Sequence, residues 1–333
     1  MKAIVITQYG PPEVLQLREI ATPVPAVDQV LIKLYASSVN PLDSFTMRGP
    51  LFFLPRVGKL LKPKHTVMGA DFAGRVEAVG KDVKTFHPGD EVFGAAFQGK
   101  GVGGFAEYIC TTEDRLAPKP ANLSFEEAAA VPVAAITALQ GLRDQGQIEQ
   151  GQKVLIDGAS GGVGTFAVQI AKSFGAEVTA VCSPGNVDKT RSIGADHVID
   201  YTRDDFTQSG ERYDLILGAN AHHSIFDYRR ALRRSGIFVM VGGGLTRILQ
   251  AASLGQLLSR VGSKKTRFFI AKINTKDLLF LKDLLETGVI APVIDRRYPL
   301  NEAAEAVRYR EVGHARGKVV IVIQHSSDLQ DRL

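Results

Sequence analysis

The sequence predicts an α/β protein in which a doubly wound parallel sheet is joined to a second, β-rich domain. Three observations carry that expectation. Val154, Leu155 and Ile156 form an apolar run too short for a helix, and Ala159-Ser160-Gly161-Gly162-Val163-Gly164 follows at once. From Gly151 onward strand-like and helix-like runs alternate, the rhythm of βαβ units. Residues 1–122 read instead as short strands broken by glycine and proline.

At 333 residues the chain is about twice a typical domain, so two domains are expected, each able to bury a full core. Its 45% hydrophobic and 23% charged residues suit a globular protein. The net charge of +5 favours anionic ligands such as nucleotide phosphates, but no long basic run marks a nucleic-acid surface. Two cysteines, Cys110 and Cys182, exclude a disulfide framework and point to a reducing, cytoplasmic setting. Lys2–Thr7 is strand-like with no signal-peptide layout, and no stretch of 18 uncharged apolar residues would span a membrane.

In order, Lys2–Thr7, Val30–Tyr35, Ala73–Val79, Glu91–Phe93 and Ala106–Ile109 are strand candidates, with turns such as Pro88-Gly89-Asp90 between them. Ser124-Phe125-Glu126-Glu127 has a capping-box pattern and opens an Ala-rich helix, which Val131–Gly141 continues after Pro132. The domain boundary is expected there, with 1–123 and 292–333 in one domain and 124–291 in the other. Lys153–Ile156, Glu177–Cys182, His197–Ile199, Asp214–Leu217 and Ile237–Val241 are the parallel strands, with Thr266–Ile270 the last. Val163, Phe166, Ala167, Ile170, Ala171 and Phe174 make a helical stripe that Gly175 ends. Thr275–Glu286 is a helix stopped by Gly288, Asn301–Arg310 is helical, and Gly317–Ile323 is a β-rich run returning to the first domain. The tail Gln324–Leu333 is polar.

Ala159–Gly164 matches A-x-G-x-x-G, the dinucleotide fingerprint with alanine at its first place. Its glycines let the backbone turn tightly and approach a pyrophosphate, whose charge faces the free N–H groups of the following helix. The stretch after Cys182 selects the nucleotide. An acid there would hold ribose hydroxyls and repel a 2′-phosphate, but this chain has Ser183-Pro184-Gly185-Asn186, so NADPH is expected over NADH.

The chain resembles the medium-chain dehydrogenase/reductase superfamily, in its zinc-free quinone oxidoreductase branch. The likeness rests on Ser38-Val39-Asn40-Pro41-Leu42-Asp43, Gly69-Ala70-Asp71-Phe72-Ala73-Gly74, Val79-Gly80 and Gly89-Asp90-Glu91-Val92-Phe93-Gly94. It continues through Gly104-Phe105-Ala106-Glu107-Tyr108, Gly158–Gly164, Gly194-Ala195-Asp196 and Gly317-Lys318-Val319-Val320. The resemblance implies a GroES-like catalytic domain built from both chain ends around an inserted Rossmann domain that binds NADP. Zinc-dependent members place a cysteine, a His-Glu pair and a later cysteine around a catalytic metal. The corresponding positions are Asn40, Ala70-Asp71 and about Val133, which offer neither thiolate nor imidazole. Gln98–Gly103 lacks the family's structural-zinc cysteines, and His222-His223 is the only adjacent histidine pair, so no metal is expected.

The resemblance also implies Asn40, Asp43 and Thr137 around the reacting centre, as groups that orient the nicotinamide or a substrate carbonyl. Asn40 and Asp43 also read as a capped turn before a helix. It adds Asn186, Lys189 and Tyr201 to Ser183 at the 2′-phosphate, Gly242 and Gly243, with Gly244, near the nicotinamide, and Lys318 among the cofactor contacts. Asp71 reads as a buried, paired carboxylate. Tyr9 and Phe53 are candidate apolar walls, and Arg56, Lys59, Lys62 and Lys64 candidate flanks of a substrate mouth. Leu217-Gly218-Ala219-Asn220 departs from the family's Asp-x-x-Gly type of stretch. The function expected is NADPH-dependent, zinc-independent reduction of quinones or α,β-unsaturated carbonyls by a homodimer. A zinc-free alcohol or ketone dehydrogenase competes, but no metal or evident acid polarises a carbonyl. A non-catalytic, crystallin- or RNA-binding-like protein also competes, but no basic stripe with exposed aromatics is present.

Overall fold

β-Branched and aromatic residues alternating with small ones give the N-terminal half its strands. A computed structural model describes residues 1–49, 63, 67–96, 103–313 and 315–325. In chain order its first strands are β1 (Lys2–Val5), β2 (Gln16–Glu19), β3 (Gln29–Val39), β4 (Asp71–Val79) and β5 (Glu91–Ala95). Then come β6 (Tyr108–Thr112), β7 (Leu116–Pro118), β8 (Lys153–Asp157), β9 (Glu177–Cys182) and β10 (His197–Asp200). The last are β11 (Tyr213–Gly218), β12 (Leu232–Met240), β13 (Lys265–Phe268), β14 (Ile294–Pro299) and β15 (Lys318–Val322).

The chain divides into two units. The first comprises Met1–Val133, Ile273–Glu286 and Ile294–Leu333. Its larger sheet runs β14-β15-β3-β4-β5-β7, with β6 also on β3, and β1 pairs with β2 apart from it. Ile4, Ile6, Ile32, Leu34, Phe72 and Phe105 are among the side chains that fill its core. The strand register sets Val319 of β15 opposite Val39, and Ser38 of β3 opposite Asp71. The end of β3, the start of β4 and the start of β15 therefore meet.

The second unit comprises Ala134–Lys272 and Thr287–Val293. Its six strands are all parallel, in the order β10-β9-β8-β11-β12-β13. Counted from β8 this is 3-2-1-4-5-6, the doubly wound order of dinucleotide-binding sheets. The helix Gly162–Ser173 follows β8 and ends where Gly175 turns left-handed, with φ +76°.

The expected domain boundary needs correction. The capping box at Ser124 forms, with Ser124 N–H donating to Glu127 Oε2 at 2.9 Å. The short helix it opens, Phe125–Ala129, nonetheless packs in the first unit, where Phe125 stacks on Tyr35 at 4.6 Å. The helix Thr275–Glu286 also joins the first unit, held by Asn122 Nδ2 donating to Leu285 O and Ala121 N–H to Glu286, both at 3.0 Å. The chain then re-enters the second unit, where the Gln169 amide grips both backbone groups of Ala291, at 2.8 and 3.0 Å. Boundaries read from a composition change miss such grips. Strands β2, β7 and β14 were also unexpected: β2 is exposed at all four residues, so no apolar alternation announces it.

Candidate functional site

The turn after β8 explains each place of A-x-G-x-x-G differently. Ala159 is fully buried and its methyl is accommodated. Gly161, the N-cap of the helix Gly162–Ser173, faces open space; an added Cβ would meet only the Gly158 carbonyl oxygen, at 3.6 Å. Gly164 is compelled, since its Cβ would stand 2.1 Å from that same oxygen. Among the described residues no side chain caps this helix, so the first-turn N–H groups of Gly162, Val163 and Gly164 remain for an anion, with Ser160 half-buried beside them.

At the end of β9, Asn186 is buried in the single turn Pro184–Asn186, and its Nδ2 donates to Ser183 Oγ at 2.8 Å. Its Oδ1 has no partner among the described residues. The amide turned over keeps the contact, with Ser183 donating to Oδ1, and leaves Nδ2 as the buried group without a partner among the described residues. Lys189 is half-buried on the helix Val187–Ser192. Tyr201 is 60% exposed, and its N–H donates to the last carbonyl of β9, Cys182 O, at 3.2 Å. The next acid along the chain, Asp188, faces solvent and lies 3.7 Å from Arg191.

Gly242 and Gly243 have a packing reason to be glycine. Added Cβ atoms would lie 2.2 Å from Ala219 O and 2.7 Å from Ala221 O, because this segment pairs with the turn after β11. Gly244, the N-cap of the helix Leu245–Val261, is the member of the triplet with open space around it. Thr137 is half-buried on the helix Pro132–Leu139. His223 packs edge-on against Phe206 and Tyr228, at 5.0 and 5.9 Å, while His222 offers its backbone N–H to Tyr228.

In the first unit the register brings together Ser38, Asn40, Asp43, Asp71 and Lys318, all buried. Lys318 Nζ donates to Asn40 Oδ1 at 2.7 Å, Asp71 Oδ2 at 3.2 Å and Val39 O at 3.4 Å. Asn40 Nδ2 donates to Asp71 Oδ2 at 2.9 Å and Ser38 O at 3.3 Å. Ser38 Oγ and the Val133 N–H complete Asp71, at 2.6 and 2.9 Å. Asn40 N–H donates to Asp43 Oδ2 at 2.7 Å, capping the helix Pro41–Arg48. Burial pushes the Asp43 carboxyl up to about 7, against the pull of that N–H and with a further push from Asp71.

Two expectations change here. Lys318, 2% exposed, is not a free cation for a cofactor phosphate, because its three donors end on oxygens of its own unit. Asn40 has committed both amide N–H groups and has none left to orient a ring or carbonyl. Nor does this donor set suit zinc: Asn40 Oδ1 and Asp71 Oδ2 both face the Lys318 ammonium, which already supplies the positive charge. Among the described residues, no group of three or more His, Cys, Asp or Glu side chains is placed to hold a metal, and no helix is long and apolar enough to cross a membrane. Tyr9 packs on the core of the first unit. Phe53, Arg56, Lys59, Lys62 and Lys64 lie outside the described residues.

Asp71 is the buried, paired carboxylate the sequence suggested, but sequence reasoning missed its partner Lys318, since 247 residues separate them. It also missed Asp157, whose carboxylate receives the Tyr228 hydroxyl beneath the glycine turn.

Known proteins resemble the chain along nearly its whole length. A model described as an alcohol dehydrogenase GroES-like domain matches residues 26–121, and one described as a zinc-binding dehydrogenase matches residues 193–321. A 2-methylene-furan-3-one reductase of Solanum lycopersicum is 37% identical, over 96% of this chain and 79% of its own. An NADPH-dependent alkenal/one oxidoreductase, chloroplastic, of Arabidopsis thaliana is 34% identical over the same shares. The solved quinone oxidoreductase of Coxiella burnetii superposes with a TM-score of 0.86 at 32% identity, covering 97% of this chain and 99% of that one.

Proposed function

The chain belongs to the medium-chain dehydrogenase/reductase superfamily, in its quinone oxidoreductase branch, and on that premise we propose an NADPH-dependent, zinc-independent reductase of quinones or α,β-unsaturated carbonyls. The observation behind this reading is the Lys318 ammonium seated between Asn40 Oδ1 and Asp71 Oδ2. Reducing an isolated carbonyl needs a Lewis acid or proton donor on oxygen as negative charge develops. A conjugated acceptor spreads that charge into an enolate or quinol, so weaker donors suffice.

NADPH, when bound, supplies the hydride. The uncapped N–H groups of Gly162–Gly164 would hold its pyrophosphate, and Ser183, Asn186, Lys189 and Tyr201 its 2′-phosphate, with no acid in the Ser183–Asn186 turn to repel it. Thr137 is the hydroxyl candidate for the reacting end, and Asp43 the group that stores a proton near neutral pH. Asn40 acts by holding Asp71 and Lys318 in place. The names of the two plant relatives support the substrate class. The dimer would pair along β13, the edge strand of the parallel sheet, and a single-chain mass in sedimentation ends that part. Two buried free cysteines agree with a reducing compartment such as the cytoplasm.

The test is the fate of deuterium carried on C4 of NADPH. An enone should receive it stereospecifically at the β-carbon, at a rate that chelators do not alter. Label found only on the carbonyl carbon of saturated ketones gives the protein to the alcohol and ketone dehydrogenases.

A further inference from the structure

Beneath the glycine turn lies a buried bridge to which the proposed function gives no part. Asp157 ends β8 and is 7% exposed, and its carboxylate accepts the Tyr228 hydroxyl. Tyr228, 1% exposed, comes from the helix Ile225–Ala231, and its oxygen in turn accepts the His222 backbone N–H at 3.1 Å. A hydroxyl has one proton. With the His222 N–H arriving at its oxygen, that proton goes to Asp157, which is therefore an acceptor here.

The two ends of the bridge belong to different turns. Asp157 begins the Gly158–Gly164 turn, and its carbonyl also receives the N–H groups of Ala219 and Asn220, at 2.8 and 3.2 Å. His222 lies in the turn that follows β11. The turns touch closely, since a Cβ on Gly158 would stand 2.7 Å from the Asn220 Cβ. The tyrosine ring itself is fixed by Phe238, stacked at 4.1 Å with planes 8° apart. The hydroxyl thus joins two turns at the carboxyl ends of neighbouring strands, the place where open parallel sheets hold their ligands.

We propose that Tyr228 is a positioning residue for the dinucleotide: by bridging Asp157 to His222 it sets the Gly158–Gly164 turn against the 219–222 turn. This rests on the reading of the glycine turn as the pyrophosphate site. Several backbone N–H groups must converge on one anion, and a turn free to shift loses that convergence. Burial disfavours the Asp157 carboxylate and the tyrosine hydroxyl is the first influence that favours it, so losing the hydroxyl unsettles both partners.

Tyr228→Phe keeps the stacked ring and removes only the bridge. In fluorescence titration its Kd for NADPH should rise about tenfold, and KM for NADPH should rise with it. Turnover of para-benzoquinone at saturating NADPH should fall less than about twofold, since the reacting end is untouched. In ligand-free protein the amides of residues 158–164 and 219–222 should exchange with deuterium about tenfold faster. Tyr213→Phe is the control. Tyr213 is 3% exposed at the opposite, amino end of β11 and also loses a buried hydroxyl, one that faces Thr179, yet should leave KM and those amides unchanged. The proposal is overturned by a Tyr228→Phe protein with wild-type affinity and exchange, or by a Tyr213→Phe protein that raises KM equally. A wild-type protein that binds no NADPH sinks the reading of the turn instead, and amide exchange still decides whether the bridge sets it.

Discussion

The two polar regions differ in how completely they satisfy themselves. In the first unit, Lys318 and the Asn40 amide place every N–H on an oxygen, and Asp71 receives Ser38, Asn40, Lys318 and Val133. In the second unit, among the described residues, the helix after the glycine turn has no side-chain cap and Asn186 Oδ1 lacks a partner, and Tyr201 is 60% exposed. A buried network is costly when half satisfied, so the closed one is built to hold the end of β3, the start of β4 and the start of β15 together. The open one keeps backbone N–H donors available where β8 ends and leaves a polar atom unmatched where β9 ends, as a ligand site requires. Substitutions in the closed region should therefore register first as stability, and those in the open region as binding.

The largest effect belongs to Lys318. Lys318→Met preserves length but leaves Asp71 buried without its counter-charge, which should cost about 3–5 kcal/mol of unfolding free energy. The denaturant midpoint gives the answer, and a loss below about 1 kcal/mol would put this pair with ordinary exposed ones and erase the contrast.

Asp43 sharpens the same contrast through pH. Its carboxyl is raised by burial from 3.8 to about 7, so the folded chain binds this proton more tightly than the unfolded chain does. Folding takes the proton up between those values. This group's contribution is therefore most favourable below about pH 4, declines by up to about 1.4 kcal/mol per pH unit through the window, and is flat above about 7. Asp43→Asn should remove that slope, read as the difference between the two proteins' unfolding free energies at pH 5, 6, 7 and 8. Parallel curves would show that the carboxyl is not held in this way.

Much of this was legible in the sequence. The apolar run Val154–Ile156, the glycine turn and the stripe of the following helix are local patterns, and the parallel sheet formed around them. Thr275–Glu286 matched a helix to the residue, because its periodicity and the Gly288 stop are also local. What escaped depends on distance along the chain. Nothing near Lys318 announces that its ammonium meets residues 40 and 71, and that meeting altered its role and that of Asn40. Asp157 and Tyr228 are 71 positions apart, each unremarked in its own segment. Gly242 and Gly243 read as a ligand edge, yet the backbone of residues 219 and 221 already accounts for their lack of a side chain.

The smallest expected effect falls in the open region, at Ser183. Its Oγ meets Asn186 Nδ2 at 2.8 Å in the turn that ends β9, and no acid stands in that turn. Ser183→Asp would place a carboxylate where the 2′-phosphate of NADPH is proposed to lie. Two anions then face each other. NADPH should weaken about tenfold, close to 1.4 kcal/mol, whereas NADH, with a hydroxyl at that position, should change by less than about threefold or bind slightly better. Unfolding free energy should stay within about 0.5 kcal/mol of wild type, because Ser183 is only half-buried and stands outside the closed network. Titrating both nucleotides against both proteins gives all four constants. An equal loss for NADPH and NADH would mean that Ser183 shapes the turn without facing the phosphate, and a wild type that holds the two nucleotides equally would remove the case for NADPH.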